Sequence, residues 1–403
     1  MINLEVPKKF SAIINQAHQT AAEVLRANSR KYDTAEHAYP KELDLLASVV
    51  DGLNHSSDSG GAGAAGVRRT ASKGAAKNAN GTNMSTALSI MEMCWGDVGL
   101  LLSMPRQGLG NSAIASVADD EQLKRFEGTW ASMAITEAQC GSDSAAIRTT
   151  ATLDGDHYVL NGEKIFVTSG QRSDSVVVWA TLDKSLGRAA IKSFLVTKDS
   201  PGLTVARLEH KLGIRASDTA TLLLENCRVP KENLLGSPEI DTSGGFAGAM
   251  QTFDNTRPLV AAMAVGVARA ALEETRTHLG EAGVVIDYDR PVNSQSHAAA
   301  TFLAMEADWE AAYLLVLQAA WMADNGKPNS LQASMAKAKA GRSGNDITLR
   351  CVELAGSLGY GERSLLEKWG RDSKILDIFE GTQQIQQLII ARRLLGKSSA
   401  QLK

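Results

Sequence analysis

The chain changes its hydrophobic periodicity twice, and these two changes constrain its fold more than any other feature. From Phe10 to about Phe126 the apolar residues recur mainly at helical spacing. From Trp130 to about Gly236 short apolar runs alternate with turn dipeptides, and from Gly245 onwards the helical spacing returns. Apolar residues three or four positions apart predict helices, whereas short bounded runs predict strands. The sequence therefore predicts an α+β fold with several domains.

Three domains are expected, with boundaries at the changes of pattern. Residues 1–129 are predicted to form an N-terminal all-α domain and residues 130–240 a central β domain of orthogonal sheets or barrel-like shape. Residues 241–403 are predicted to form a C-terminal four-helix bundle, since long helical segments fill this part of the chain. Within the first domain, residues 55–83 are rich in Gly, Ala, Ser and Asn, which predicts a mobile loop.

Short strand-like segments mark the central zone. The segments SVVVWATL, IKSFLV and TATLLLENCRV have the length and β-branched content of strands. The dipeptides Asp154–Gly155 and Asn161–Gly162 both favour the positive φ of tight turns. We therefore expect a hairpin turn at each of these two dipeptides.

The composition argues against nucleic acid as a partner. Of the 403 residues, 44% are hydrophobic and 22% are charged, and the net charge is −3. The Lys and Arg residues are scattered along the chain, whereas a polyanion-binding surface requires clustered basic residues. We expect an ordinary globular protein that binds no nucleic acid.

The cysteines and the N-terminal segment predict a reducing, cytoplasmic setting. Cys94, Cys140, Cys227 and Cys351 lie far apart, without the spacing of a metal site or the density of a disulfide framework. The first residues, MINLEVPKKFSAIINQ, lack a secretory hydrophobic core, and no apolar run reaches membrane-spanning length. We therefore expect no disulfides, no metal site and no insertion into a membrane.

The first candidate site is the stretch ITEAQCGSD, residues 135–143, which enters the predicted β domain. Thr136, Ser142 and the backbone amides near Gly141 are groups that can hydrogen-bond flavin edges and phosphate oxygens. The small residues also allow a ligand to approach the backbone closely. The alternative interpretation is a polar loop that closes a strand, because such loops are common.

The second candidate is the glutamate of FEGT, within RDSKILDIFEGTQQIQQLIIARRLL. Glu380 follows the apolar residues Ile375, Leu376, Ile378 and Phe379. If its carboxyl group is buried among them, its pKa rises, which suits a general base that accepts a proton near neutral pH. The alternative interpretation is a solvated residue at the end of a helix.

These stretches, in their order along the chain, resemble the acyl-CoA dehydrogenase family of flavoenzymes. The resemblance runs through ASMAITEAQCGSDSAAIRTTATLDGDHYVLNGEKIFVTSG, then FDNTRP at 253–258, then RDSKILDIFEGTQQIQ. It implies FAD bound between the β domain and the C-terminal helices. It also implies dehydrogenation of an acyl-CoA thioester to trans-2-enoyl-CoA, as in fatty acid β-oxidation, with electrons passed to an electron-transfer flavoprotein. A non-catalytic partner subunit and an acyl-CoA oxidase are the alternatives.

The resemblance also implies a role for each matching residue. Glu380 matches the family's base, which removes the pro-R α-proton while the β-hydrogen leaves as hydride to flavin N5. Family members polarise the thioester carbonyl with a flavin ribityl hydroxyl and the backbone N–H of that glutamate. The positions that match acyl-CoA contacts are Ser142, Asp254, Arg257 and Gly381.

The implied FAD-binding set lies in two parts of the chain. Phe166 stands where many family members have Trp over the flavin, so an aromatic face is kept. The alternative interpretation of Phe166 is that its ring lies in the core of the strand. Asp254 and Arg257 could instead form an ion pair at the end of a helix, and Thr136 and Ser142 could simply form turns. The full implied set is Met133, Ile135, Thr136, Gly141, Ser142, Phe166, Thr168, Thr382 and Gln384.

Two departures from the family pattern bear on assembly. In the family, a neighbouring subunit supplies an Arg-x-x-Phe-Gly motif and a Gln-x-x-Gly-Gly turn to the adenine and pyrophosphate half of FAD. This chain reads GEAGVVIDYDRPVNSQSH at the first motif, and it has Glu353 and Ser357 at the second. The resemblance therefore implies a tetramer, and the two departures favour an α2β2 assembly with a paralogous subunit. The alternative is that Arg290 replaces the missing family arginine, since a shifted loop could bring it to the FAD phosphates.

Overall fold

The computed structural model describes residues 6–48, 81–106, 108–240, 247–397 and 401. For residues 247–255 it describes the backbone alone. The predicted mobile loop at 55–83 lies outside the described residues, except for its last three positions.

The N-terminal part consists of helices, as its periodicity predicts. Helix α1 continues through a π-helical segment, Ala21–Arg26, into α2, and α4 is buried along most of its length. The helices are α1 (Ser11–Thr20), α2 (Ala27–Thr34), α3 (42–48), α4 (Thr82–Gly96), α5 (Val98–Leu102), α6 (Leu109–Val117) and α7 (Asp120–Arg125).

The central part is a curled, mixed sheet. Strand β4 pairs in parallel with β1 and antiparallel with β5, while β2, β3, β7 and β6 follow one another in antiparallel pairs. A single parallel pair, Thr150 with Thr181, joins the two groups. The strands are β1 (Ala131–Ala134), β2 (Thr150–Asp154), β3 (His157–Thr168), β4 (Ser175–Thr181), β5 (Ile191–Thr197), β6 (Leu203–Leu208) and β7 (Thr219–Pro230). The three strand-like segments of the sequence are confirmed as β4, β5 and β7.

One of the two predicted hairpin turns is confirmed and the other is wrong. Asp154–Gly155 turns from β2 into β3, with Gly155 at φ +61°. Asn161 and Gly162 instead lie inside β3, at an irregularity in its register against β7, where its pairing with β2 also ends. A Cβ on Gly162 would lie 2.8 Å from the Cα of Thr149, so this glycine permits close strand approach rather than a turn.

The C-terminal part returns to helices, and the α+β fold class is confirmed. The long helices α8, α9 and α10 pack on one another, while α12 and α13 pack on α10. The helices are α8 (Ala247–Glu281), α9 (His297–Asp324), α10 (Ser330–Ala355), α11 (Ser357–Tyr360), α12 (Leu366–Leu376) and α13 (Gln383–Leu395). Within the described ranges, no helix has both the length and the apolar character needed to cross a bilayer. The domain boundaries themselves stay predictions.

A buried ion-pair network joins the three parts. The Nζ of Lys368, on α12, lies 2.7 Å from Asp97 Oδ2 and 2.5 Å from Asp372 Oδ2. Asp97 caps α5 by accepting the N–H of Leu100 at 2.7 Å. The other oxygen of Asp372 accepts the backbone N–H of Ile214, in the β6–β7 connector (residues 209–218), at 2.5 Å. Helix α12 is therefore fixed both to the N-terminal helices and to the sheet.

We expect Lys368→Met to destabilise the fold strongly. Burial acts to lower the pKa of Lys368, but the charges of Asp372 and Asp97 and their hydrogen bonds raise it, so the lysine is charged in the fold. Removing it leaves two buried carboxylates facing each other, and breaking a buried pair typically costs about 3–5 kcal/mol. Chemical denaturation measures the loss in free energy of unfolding. The control is Lys231→Met, which breaks the exposed Lys231–Asp156 ion pair. Equal stability of the two variants would contradict a structural role for the network.

Candidate active site

Glu380 lies in a strained turn between two helices. Helix α12 ends at Leu376 and α13 begins at Gln383. Between them, Glu380 adopts φ +53° and Gly381 adopts φ +96°. Positive φ is unfavourable for a residue with a side chain, and it persists where surrounding contacts impose it. The φ of Gly381 favours glycine, and a Cβ there would also lie 2.5 Å from Nε2 of Gln386, which would have to shift.

Two buried side chains hold this turn by its main-chain carbonyls. Lys337 on α10 donates from Nζ to the carbonyl of Gly381 at 2.8 Å. Gln386 on α13 donates from Nε2 to the carbonyls of Glu380 at 3.2 Å and Gly381 at 3.1 Å. Because both contacts are made to backbone oxygens, they fix the turn without engaging the carboxylate of Glu380.

Glu380 is half-buried as a residue, but one of its carboxylate oxygens is shielded from solvent and is not compensated by a contact from any described residue. Its Oε2 atom is buried and has no hydrogen-bond partner among the described residues. Burial raises the pKa of Glu380, against the lowering effects of a hydrogen bond from Thr256 and of the charges of Arg257 and Lys337. The interpretation as a solvated helix-end residue is therefore wrong for this carboxylate.

The cations around Glu380 come from two helices. Arg257, on α8, is only 3% exposed. Lys337 is fully buried, and this burial lowers its pKa to about 8; Asp377 and Glu380 oppose the shift, while Arg257 adds to it. Lys337 therefore titrates close to the physiological range, unlike an exposed lysine.

On the sheet side, the loop after β1 folds back on itself. Glu137 and Cys140 exchange backbone hydrogen bonds, which brings Gly141 close to Thr136. Thr136 is half-buried and Ser142 is exposed, and neither hydroxyl has a hydrogen-bond partner among the described residues. These hydroxyls are available to a ligand.

A bulge in β3 presents Phe166 next to this loop. The register of β3 against β7 shifts between Lys164 and Val167, and Phe166 adopts φ +58°. The backbone N–H of Ile165 donates to the carbonyl of Thr136 at 2.9 Å, which ties the bulge to the loop. Phe166 is 61% exposed, so the strand-core interpretation of this ring is wrong.

A buried pair that sequence reasoning missed supports the same loop. Lys164 donates from Nζ to Glu137 Oε1 at 2.8 Å and to the carbonyl of Ile135 at 3.1 Å. Glu137 also accepts the backbone N–H groups of Arg148 and Thr149. Burial acts to raise the pKa of Glu137, but Lys164 and Thr149 outweigh it and lower this pKa to about 2. The sequence signal for this pair is a charged residue in each of two short segments, Glu137 in ITE and Lys164 in GEK.

The β6–β7 connector links the sheet side to the Glu380 side. The backbone N–H of Ser169, just after β3, donates to the carbonyl of Asp218 at 3.0 Å. At its other end the connector packs on α12, where a Cβ on Gly213 would lie 2.6 Å from the backbone N of Asp372. The distance between the two groups of candidate residues therefore depends on this connector.

The remaining predicted residues take varied positions. Thr382 caps α13 through a long hydrogen bond from Ile385 N to its hydroxyl, at 3.4 Å, and Gln384 is exposed on that helix. The side chain of Asp254 lies outside the described residues. Met133 and Thr168 are half-buried and Ile135 is buried, while Gly141 is exposed.

Family models match two parts of the chain. The acyl-CoA dehydrogenase middle domain matches residues 132–227, and the acyl-CoA dehydrogenase C-terminal domain matches residues 243–395.

Related sequences agree with these matches. The probable acyl-CoA dehydrogenase FadE25 of Mycobacterium tuberculosis is 35% identical over 327 residues, which cover 78% of this chain and 80% of that protein. The mitochondrial short-chain specific acyl-CoA dehydrogenase of Bos taurus is 39% identical over 262 residues. That match covers 65% of this chain and 62% of the bovine protein.

Solved structures share the fold over nearly the whole chain. Butyryl-CoA dehydrogenase from Megasphaera elsdenii superposes with a TM-score of 0.81 at 27% identity, over 98% of this chain and 100% of that one. A chain from a study of the electron transferring flavoprotein of Acidaminococcus fermentans gives 0.79 at 30% identity, with the same coverage. This chain belongs to the acyl-CoA dehydrogenase family, whose members are FAD-dependent oxidoreductases.

The described residues fit bound FAD. The hydroxyls of Thr136, Ser142 and Thr168 have no hydrogen-bond partner in the described part of the chain, so they can bind flavin and phosphate oxygens. The exposed ring of Phe166 offers an aromatic face for stacking. The N-terminus of α13, beside Thr382, adds backbone dipoles that favour an anionic group.

Proposed function

We propose that this protein catalyses the FAD-dependent α,β-dehydrogenation of an acyl-CoA thioester to trans-2-enoyl-CoA, with Glu380 as the base. One observation carries the proposal: in a chain of this family, Glu380 has a buried carboxylate oxygen without a partner, in a turn fixed by its backbone. A carboxylate with a raised pKa near a substrate is suited to accept a proton at neutral pH.

The proton and the hydride leave from adjacent carbons. Glu380 takes the α-proton through its carboxylate, and the electron pair of that C–H bond forms the new double bond. Bound FAD supplies the chemistry that accepts the β-hydrogen as hydride. The backbone N–H of Glu380 bonds to none of the described residues, so it can donate to the thioester carbonyl as negative charge develops there.

The other site residues act by binding and by charge. Thr136, Ser142, Phe166 and Thr168, with Met133, Ile135, Gly141, Thr382 and Gln384, would hold FAD. Ser142, Asp254, Arg257 and Gly381 would contact the acyl-CoA. Arg257 is buried near Glu380, so its charge also favours the ionised form of the base.

We further assign an electron-transfer flavoprotein as the acceptor of the two electrons. Each turnover reduces the flavin, so a second redox partner must reoxidise it. One structural neighbour comes from a study of such a flavoprotein, which supports this choice. Rapid reoxidation by oxygen would instead favour an acyl-CoA oxidase.

The partner in assembly is proposed to be a paralogous subunit in an α2β2 tetramer. Glu353 and Ser357 are exposed at the end of α10, where the family's glycine turn would meet a neighbour's FAD. Leu349 and Tyr360 beside them are also exposed, as expected of a face that is covered by another subunit. Arg290, the rival phosphate contact, is exposed and donates to the carbonyl of Ser294 at 3.4 Å.

Lys337 is proposed to tune the base as well as hold the turn. Its charge lowers the pKa of Glu380, while its hydrogen bond to Gly381 fixes the backbone. A lysine whose own pKa is near 8 delivers this electrostatic effect fully only below that pH. The acid limb of the pH–rate profile, where the rate falls as Glu380 becomes protonated, therefore depends on Lys337.

We expect Glu380→Gln to retain FAD and to lose dehydrogenation. The change is nearly isosteric and removes only the proton acceptor, and loss of a general base typically costs about 10²–10⁴ in rate. Anaerobic bleaching of the flavin by acyl-CoA thioesters measures the reaction, with the exposed Glu362→Gln as the matched control. Near-normal turnover by a folded, yellow Glu380→Gln protein would remove Glu380 from the mechanism. A wild-type protein that stays colourless with its partners would favour the non-catalytic alternative.

We expect Lys337→Met to shift the acid limb of kcat/KM to higher pH. Without the neighbouring charge the pKa of Glu380 rises, so the base becomes ionised only at higher pH. Lys337→Arg keeps a positive charge and should leave the limb near its wild-type position. FAD content confirms that both variants are folded. An unshifted limb in Lys337→Met would show that this lysine acts only on structure.

We expect the chain expressed alone to bind FAD poorly and to gain it on co-expression with a paralogous partner. A carboxylate at Glu353 repels the pyrophosphate, and the missing Arg removes a charge-assisted hydrogen bond worth about 1.5–3 kcal/mol. FAD per chain, measured by absorbance, should rise to about half on co-expression, since each unlike pair completes one site. The double variant Glu353→Gln, Ser357→Gly should raise FAD content in the chain alone. A stable homo-oligomer with FAD in every wild-type chain would defeat the assignment.

A further inference from the structure

Three side chains with metal-binding atoms meet far from Glu380 in the sequence. Glu36 and His37 lie in the loop after α2, and His210 lies in the β6–β7 connector. One ligand atom from each residue lies within 4.8 Å of the others. His210 Nδ1 is 2.8 Å from Glu36 Oε2. Because Glu36 and His210 are 174 positions apart, no local motif reveals this cluster.

His37 is the residue that a purely structural interpretation leaves unexplained. Both of its ring nitrogens are buried, and neither has a hydrogen-bond partner among the described residues. Its backbone adopts φ +68°, an uncommon conformation for a residue with a side chain. Buried polar atoms without partners and strained backbone are both costly, and they concentrate at functional sites.

The donor set suits a borderline divalent cation. Two imidazoles and one carboxylate are ligands that Zn²⁺ accepts in three-ligand sites, with water completing a tetrahedron. At Zn–N distances of about 2.0–2.1 Å, neighbouring ligand atoms lie roughly 3.3 Å apart. The present separations include one of 2.8 Å and reach at most 4.8 Å, so side-chain rotations would have to widen the first and close the longer ones. Imidazole binds a metal as the neutral ring, and burial lowers the pKa of His37.

The surrounding charges limit the expected affinity. Lys211 and Arg172 lie near His37 and repel a cation, while the carboxylate of Glu36 attracts one. Arg172 also donates to the carbonyls of His37 and Ala38, which fixes the loop. The site is therefore held in place, but it carries less negative charge than a site built from several carboxylates.

We propose that Glu36, His37 and His210 bind one divalent metal ion of the Zn²⁺ class, which joins the loop after α2 to the β6–β7 connector. The bound ion satisfies one of the two buried ring nitrogens of His37. It also fixes the connector that packs on α12 through Gly213 and Ile214. This role is separate from the proposed dehydrogenation, because none of the three residues lies among the candidate catalytic or FAD-binding residues.

The test is Zn²⁺ binding by this chain, purified on its own, after removal of metals by a chelator. Isothermal titration should show one site in the wild type, weakened more than about tenfold in His37→Gln and in His210→Gln, since even outer-shell changes at metal sites cost 10–100-fold. His278→Gln is the matched control, because His278 lies 3.5 Å from both Glu274 and Glu281 and forms no three-ligand cluster within the described residues. Its titration should equal that of the wild type.

Thermal unfolding gives a second measurement. Zn²⁺ should raise the Tm of the wild type, and Mg²⁺ should not, because imidazole is a poor ligand for Mg²⁺. The side chain of His210 is 82% exposed, so His210→Gln tests the site even if His37→Gln does not fold. Wild-type protein that binds no Zn²⁺, Zn²⁺ binding that is not weakened in His210→Gln, or binding that is weakened equally in His278→Gln would each overturn the proposal.

Discussion

The buried contact of Lys368 with Asp97 and Asp372 is the interaction on which the rest of the site depends. It fixes α12 to the N-terminal helices, and the second oxygen of Asp372 fixes the same helix to the β6–β7 connector. Desolvating three charges is expensive, and it is offset here because each charge has close partners. Glu380 lies four residues beyond the end of α12, so any movement of α12 moves the base relative to the sheet.

Three buried lysines show how surroundings decide what one residue type does. Lys368 lies between two carboxylates that raise its pKa against the effect of burial. For Lys164 burial prevails over the charge of Glu137, and the pKa is lowered, although its hydrogen bonds to Glu137 and to the carbonyl of Ile135 still tie the loop after β1 to β3. Lys337 donates to a neutral carbonyl, and burial lowers its pKa to about 8. Only the last is placed to respond to pH near neutrality beside Glu380.

The sequence predicted what depends on local pattern and missed what depends on distant contacts. Periodicity identified the three zones, and the FEGT motif singled out Glu380, because both signals are written within a few neighbouring residues. Asn161–Gly162 was misread as a turn, since the same dipeptide also suits a bulge where backbones approach closely. Lys164 with Glu137, and His210 with Glu36, are pairs that only the folded chain brings together.

Strain at three residues shows how rigidly the candidate site is built. Phe166, Ile214 and Glu380 all adopt positive φ, and Ile214 is β-branched, for which this conformation is a marked outlier. Each is imposed from outside: by the β3 bulge, by the hydrogen bond to Asp372, and by the contacts of Lys337 and Gln386 to the turn. These contacts engage the backbone and leave the ring of Phe166 and the Oε2 atom of Glu380 without such constraints. The fold thus fixes where these groups lie while leaving their reactive surfaces to ligand and substrate, as preorganised catalysis requires.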